Sequence, residues 1–226
     1  MITLHHLENS RSQRVLWLLE ELGLSYEVRR YARNPQTLLA PPELLKVHPL
    51  GKSPVITDQG PDGDITVAES GAIVEYLLDT YGNGRLRPAA GTAERRQFTY
   101  WLHFAEGSAM PFLLLKLVFD KVRSAPVPFF LKPVVKGIAE KVGSGFIDPN
   151  LKRNMAYIES ELAQRPWFAG AEFSAADIQM SYPMEAAAVR AGTGSNKAAN
   201  EWLARIHARP AYQRALKAGG PYNVVP

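Results

Sequence analysis

Strand-like and helix-like segments alternate over about the first eighty residues of this chain, and after that the strand signals stop. This change of period constrains the fold more than any single motif, because a two-residue repeat buries one face of a sheet and a 3.6-residue repeat one face of a helix. Ile2 to Leu7 reads as a short apolar strand without turn formers. Val15, Leu18, Leu19 and Leu22 then recur at helical spacing until Gly23 stops them. Tyr26 to Tyr31 reads as a second strand, Asn34-Pro35 as a turn, and Thr37 to Val47 as a short irregular helix. Pro54 to Thr57 and Ile65 to Ala68 read as strands around a Gly60-Pro61-Asp62-Gly63 turn. Ile73, Tyr76 and Leu77 mark a helix that Ser70 is placed to cap.

The order strand, helix, strand, helix, strand, strand, helix implies a right-handed parallel crossover and then an antiparallel hairpin. That is the thioredoxin-like α/β arrangement with a mixed four-stranded sheet, expected over residues 1–82. Gly82-Asn83-Gly84 through Pro88-Ala89-Ala90-Gly91 reads as a linker over 83–91. Residues 92–226 are expected to form an all-α helical bundle. Pro126, Pro128, Pro133, Pro149, Pro166 and Pro210 divide it into five or six helices.

Of the 226 residues, 46% are apolar and 21% charged, a balance that builds a core without covalent staples. There is no cysteine, which removes disulfides, zinc–thiolate sites and a cysteine nucleophile together. Any sulfur chemistry must therefore use a ligand's sulfur. The net charge of +4 is mild, short of a nucleic-acid footprint. No run approaches the roughly eighteen uninterrupted apolar residues of a membrane span. The start, Met1-Ile2-Thr3-Leu4-His5-His6, lacks secretory-signal grammar, so a cytoplasmic location is expected.

Three segments of the first domain carry chemistry. Leu7 to Val15 leaves a strand and enters a helix, whose N-terminus favours an anion. A thiolate there would have a lowered pKa, and Ser10 is the best-placed hydroxyl to donate to it. The plainer alternative is that Asn9, Ser10 or Ser12 simply caps the helix. In Lys52-Ser53-Pro54-Val55, a cis Pro54 would leave the main chain of Val55 to pair with an extended peptide, and Lys52 supplies a cation for a carboxylate. In Ala68-Glu69-Ser70-Gly71, Ser70 and the helix N-terminus suit a carboxylate, and Glu69 an ammonium. Together they describe an extended zwitterionic peptide with two carboxylates and a central thiol.

At this point the chain resembles the cytosolic glutathione transferases along nearly its whole length. The similar segments are Leu16 to Leu24, Gly51 to Ile56, Ala68 to Ile73, and Phe168-Ala169-Gly170 through Phe173 to Ile178. The resemblance makes Pro54 the cis proline, Val55 the partner of the cysteinyl unit, Glu69 and Ser70 the γ-glutamyl clamp, and Lys52 the partner of the glycyl carboxylate. His48 matches less well and is left out of the site. With His5-His6-Leu7 where one branch carries a tyrosine, the serine-type branches fit best, so Ser10 is assigned the thiol, with Asn9 the rival. Bound glutathione would then attack a small hydrophobic electrophile held by Trp101, Phe104, Met110 and Phe112. Glutathione-dependent peroxide or disulfide reduction, and a non-catalytic module on the same fold, are the alternatives. A homodimer is implied by the resemblance.

Ser174 and Asp177 form a capping box, flanked by Phe173 and Ile178 as a hydrophobic staple. The histidines lack ligand spacing, and no metal is expected. Lysines interleaved with Phe112, Phe119, Phe129 and Phe130 admit contact with an anionic membrane surface, although Pro128 and Pro133 argue against the continuous helix it prefers. The tail Gly219 to Pro226 reads as irregular, able to close over a pocket.

Overall fold

The computed structural model describes residues 1–60, 63–191 and 196–224. Its first part is a four-stranded mixed sheet in the order β2-β1-β3-β4. β1 (Ile2–Leu7) pairs in parallel with β2 (Tyr26–Tyr31) and antiparallel with β3 (Val55–Gly60). β3 and β4 (Gly63–Ala68) form the hairpin, whose expected turn residues Pro61 and Asp62 lie outside the described residues. α1 (Ser12–Leu22) makes the crossover between the parallel strands, and α2 (Ser70–Tyr81) follows the hairpin. The thioredoxin-like arrangement is as the order of sequence signals requires. The helix expected over Thr37 to Val47 contracts to a 3-10 turn, Pro42–Lys46. Pro41 and Pro42 have no N–H to donate to the carbonyls of a helix begun at Thr37.

α1 is buried almost all round. Val15, Leu16, Trp17, Leu18 and Leu19 are fully enclosed, because β1 and α2 cover one side of the helix while the second part of the chain covers the other. Gly23 closes α1 at φ +67°, a left-handed conformation that glycine adopts without steric cost.

The second part is all helical. α3 (Ala93–Phe104) and α4 (Met110–Arg123) run on through a π-turn, Ala105–Ala109. α5 (Lys132–Val142) and α6 (Asp148–Leu162) run on through another, Gly143–Ile147. α7 (Ala175–Arg190), α8 (Lys197–His207) and α9 (Pro210–Gly219) complete it. Pro149 was expected to end a helix and does not. Both Pro111 and Pro149 follow a turn widened to π register, in which Met110 N–H reaches Ala105 O and Asp148 N–H reaches Gly143 O, so the helix passes over the proline's missing donor. The combined helix Ala93–Arg123 is long and apolar enough to cross a membrane by length and composition. One face of it nevertheless packs Phe98, Trp101, Leu102, Met110 and Leu113 into the protein core. Pro133 lies in the first turn of α5, where proline is tolerated, so it leaves that helix unbroken. Phe129, Phe130, Leu131, Val134 and Ile138 are exposed there.

α7 is the central helix of this part and is enclosed along most of its length. It begins with the expected capping box. The buried Asp177 carboxylate accepts from Phe168 N–H, Ser174 N–H and Trp202 Nε1–H, each at 3.0 Å. Burial pushes this carboxyl up to about 6, against the opposing pull of its donors. Asp177→Ala strands those donors in the core, so urea unfolding should show a loss of about 3–5 kcal/mol. A loss below about 1 kcal/mol would remove the box from the framework of the domain.

Candidate functional site

Two adjoining strips of chain line a cleft of about 320 Å3, within the size range of small-ligand sites. Lys52, Ser53, Pro54 and Val55 line one wall. The Ser53–Pro54 peptide is cis. β1 and β3 stop pairing at His5 and Val55. Beyond that point the Ser53 hydroxyl takes over, donating to His5 O at 2.8 Å and accepting from Leu7 N–H at 3.2 Å. Glu69 and Ser70, directly after the Ala68 that pairs with Val55, line it as well. Glu69 has φ +73°, a conformation that costs a side-chain-bearing residue about 1–3 kcal/mol and persists only where surrounding structure holds it. Ser70 is not the cap expected from sequence. It is the first helical residue of α2, after a Glu69 that makes no side-chain cap, and its Oγ accepts from Arg14 Nη2 at 2.9 Å. Arg14 is buried beneath the site, so the hydroxyl turns to it rather than to the helix end. His48 also lines the cleft, although the sequence reading left it out.

An ion network closes the floor. Arg14, only 1% exposed, donates to Glu106 Oε1 at 2.5 Å and to Gln179 O at 2.7 Å. That carbonyl is free because Pro183, four residues on in α7, has no N–H to offer it. Arg11 Nε donates to Glu106 Oε2 at 3.0 Å. Burial works to raise the Glu106 carboxyl, but Arg14 and then Arg11 outweigh it and hold the carboxyl below its ordinary range. Glu106 belongs to the π-turn between α3 and α4. The helical part therefore supplies a carboxylate to a cleft built mainly by the first part.

At the corner between β1 and α1 the two thiol candidates behave differently. Ser10 is buried and turned inward. Its Oγ accepts from Ser12 N–H at 3.2 Å and lies 2.7 Å from Ser12 Oγ, which in turn lies 2.9 Å from His6 Nδ1. This is close to the plain capping role. Burial first, then Arg30, lowers His6 to about 4, so its ring is neutral at ordinary pH. Asn9 is half-buried at φ +50°, and its Oδ1 accepts from Asn223 N–H at 2.7 Å. Neither Asn9 nor Ser10 is part of the cleft lining.

The residues expected to hold the electrophile are placed elsewhere. Trp101, Phe104 and Met110 are buried in the core, with Trp101 stacked on Tyr157 at 5.4 Å and tilted against Phe168 at 4.6 Å. Phe112 packs on Phe146. From α4 it is the half-exposed Leu114 that reaches the cleft. The apolar pattern could not separate an inner face from a pocket face, since both want the same side chains. Arg11 and Arg14, the arginines of a Ser-Arg-x-x-Arg start, carry no assigned role in the sequence reading, and Glu106 was not singled out. Glu106 had a signal, as the one Asp, Glu, Lys or Arg between Arg96 and Lys116.

A thioredoxin-like domain with a cis proline, a strained Glu-Ser corner and a helical second part defines a class that the comparisons make specific. The family model described as the N-terminal domain of glutathione S-transferase matches residues 10–80. Glutathione S-transferase 3 of Schizosaccharomyces pombe is 40% identical over 187 residues, covering 83% of this chain and 74% of that protein. Glutathione S-transferase 1 of Saccharomyces cerevisiae is 31% identical over 94% of this chain and 92% of that protein. The disulfide-bond oxidoreductase YfcG of Escherichia coli is 27% identical over 96% and 94%. Among solved structures, a glutathione S-transferase from Actinobacillus pleuropneumoniae superposes with a TM-score of 0.78 at 30% identity, covering 99% of this chain and 95% of its own. A glutathione transferase family member from Pseudomonas fluorescens, solved with two glutathione bound, gives 0.77 at 28%, covering 95% and 92%. The chain belongs to the glutathione S-transferase family.

Two measurements check this geometry. Glu106→Gln leaves Arg14 buried without its counter-charge and should cost about 2–3 kcal/mol in urea unfolding, less than for a fully buried pair because Glu106 remains 35% exposed. An unchanged midpoint would remove the ion network from the forces joining the two parts. Between pH 6.5 and about 4 the unfolded chain takes up a proton at His6 while the folded chain resists it, so stability falls as pH drops through that window, by up to about 3 kcal/mol. His6→Asn should flatten the pH dependence by that amount, and identical slopes would contradict the placement of the ring.

Proposed function

We propose that the cleft binds glutathione and holds its sulfur as a thiolate at the β1–α1 corner, for attack on a small apolar electrophile. One observation carries this reading: Lys52, Val55, and Glu69 with Ser70 at the start of α2 all line a single cleft. In that arrangement the glycyl carboxylate meets Lys52, and the cysteinyl unit runs along Val55 as an added strand. The γ-glutamyl carboxylate meets the Ser70 hydroxyl and the first N–H groups of α2, and the γ-glutamyl ammonium meets Glu69. The thiol loses its proton to solvent, and the thiolate forms a carbon–sulfur bond as the leaving group departs with its electron pair. Such chemistry needs orientation and thiolate stabilisation from the protein and calls for no metal.

Of the two candidates for stabilising the thiolate, the geometry supports Asn9 over Ser10. The Ser10 hydroxyl is enclosed and tied to Ser12. Asn9 is half-buried, and the contact at its Oδ1 leaves the two Nδ2 protons for another acceptor. We place this reaction in a cytoplasmic homodimer, following the family's habit.

A second reading, reduction of disulfides, is favoured by a groove of about 500 Å3 that shares Arg11, Leu50, Lys52 and Ser53 with the cleft. A bound thiolate would attack one sulfur of a disulfide, forming a mixed disulfide with glutathione while the other sulfur leaves as thiolate. A second glutathione in the groove would then release the product thiol and leave as glutathione disulfide. The name of the Escherichia coli relative and the two glutathione bound in the Pseudomonas structure point the same way.

Ultraviolet titration of protein-bound glutathione tests both assignments. Thiolate should form near neutral pH, and Asn9→Ala should raise the thiol pKa by about 1–2 units, the worth of one hydrogen bond to a charged group. Ser10→Ala should change it by less than about half a unit. No bound thiolate in the wild type would refute the glutathione reading. Relative turnover of an aryl chloride and a dialkyl disulfide separates conjugation from reduction.

A further inference from the structure

The C-terminal tail returns to the β1–α1 corner, and its attachment is built from buried groups. Glu185 on α7 is 1% exposed, and its carboxylate accepts from Tyr212 OH on α9 and Tyr222 OH in the tail, each at 2.6 Å. His207, at the end of α8, places Nε2 3.2 Å from the same carboxylate. Burial first, and the Glu185 charge second, hold both tyrosines well above their ordinary value, so both remain donors. One residue beyond Tyr222, the Asn223 N–H reaches Asn9 Oδ1 at 2.7 Å.

That last contact decides the orientation of an amide. A main-chain N–H only donates, so the end of Asn9 that meets it must be oxygen, and the Nδ2 protons are committed to the opposite side. The corner is held a second time by the same helix: Tyr182, three residues before Glu185, places its hydroxyl 3.5 Å from Asn9 O. A thiolate is attracted by amide protons and repelled by an amide oxygen, so the flip state of Asn9 matters to any sulfur bound beside it.

We propose that the tail is an orienting latch, in which Glu185, Tyr222 and Asn223 act as positioning residues that keep Asn9 in the flip offering Nδ2, rather than Oδ1, to the glutathione sulfur. This rests on the reading of the cleft as a glutathione site with Asn9 as thiol donor. Glu185 touches no part of the cleft. It acts through the tyrosine hydroxyl and the next peptide N–H, and loss of either link frees the amide to rotate.

The experiment uses the full chain and four variants. Tyr222→Phe deletes the tail's hydroxyl, Asn223→Pro deletes the N–H that meets Asn9, and Asn9→Ala deletes the amide. Tyr212→Phe is the control, because it removes an equal hydrogen bond from the same carboxylate but on α9 rather than on the tail. Thermal unfolding shows whether each variant is folded. The readouts are the pKa of bound glutathione thiol and the split between kcat and KM for glutathione. Tyr222→Phe and Asn223→Pro should raise the thiol pKa and lower kcat about three- to tenfold below neutral pH, part of the effect of losing a whole hydrogen bond to a charged group, with KM within about twofold. Tyr212→Phe should leave the thiol pKa unchanged even if it lowers the melting temperature. An equal pKa rise in Tyr212→Phe would overturn the latch in favour of a general loosening around Glu185. A raised pKa in Asn9→Ala with none in Tyr222→Phe and Asn223→Pro would overturn the latch while sparing the Asn9 assignment. No change in Asn9→Ala would overturn both.

Discussion

Arg14 carries a positive charge into the middle of the molecule, and its neighbours are arranged around that fact. Removing a guanidinium from water costs several kcal/mol unless charge and hydrogen bonds replace the lost hydration. Its replacements come from three directions: the Ser70 hydroxyl at the start of α2, the Glu106 carboxylate of the π-turn, and the Gln179 carbonyl of α7. Each partner lies on a different element, and two belong to the helical part. An isolated first domain would leave Arg14 without its counter-charge. The Glu69–Ser70 side of the cleft and the junction of the two parts are thus held by the same side chain.

Proline supplies two of those partners indirectly. Pro183 frees the Gln179 carbonyl by having no N–H to give it. Pro111 follows the turn widened to π register that carries Glu106. An uninterrupted α-helix would satisfy Gln179 within itself and would rotate Glu106 relative to Arg14 by part of a turn. Of the two π-turns, the one that carries Glu106 lies where the helical part meets the cleft, as such widened turns often do at functional sites.

Much of the first domain was legible because its signals are local. The apolar run of β1 without turn formers, the Gly23 stop and, in the helical part, the Ser174-Asp177 box are each set by a few consecutive residues, and all three form as expected. Lys52, Pro54, Val55, Glu69 and Ser70 do line one cleft. Local patterns misled where a residue had competing partners. Ser70 had the form of a cap, but a buried arginine reached its hydroxyl first. Ser10 read as the best-placed hydroxyl for a thiolate, but Ser12 and His6 lay behind it. Trp101, Phe104 and Met110 were apolar enough for a pocket and went to the interior for the same reason.

The sequence by itself determined the two-part architecture, the order of strands and helices along the chain and the exclusion of a cysteine nucleophile, because periodicity and a complete lack of cysteine need no knowledge of distant contacts. Tertiary structure alone decided which charges meet and which hydroxyls stay free. Arg14 and Glu106 are 92 residues apart and Asn9 and Asn223 are 214 apart, and no local pattern encodes such pairings. They arise when packing of α1 between the sheet and the helices removes water from polar groups, which must then find one another.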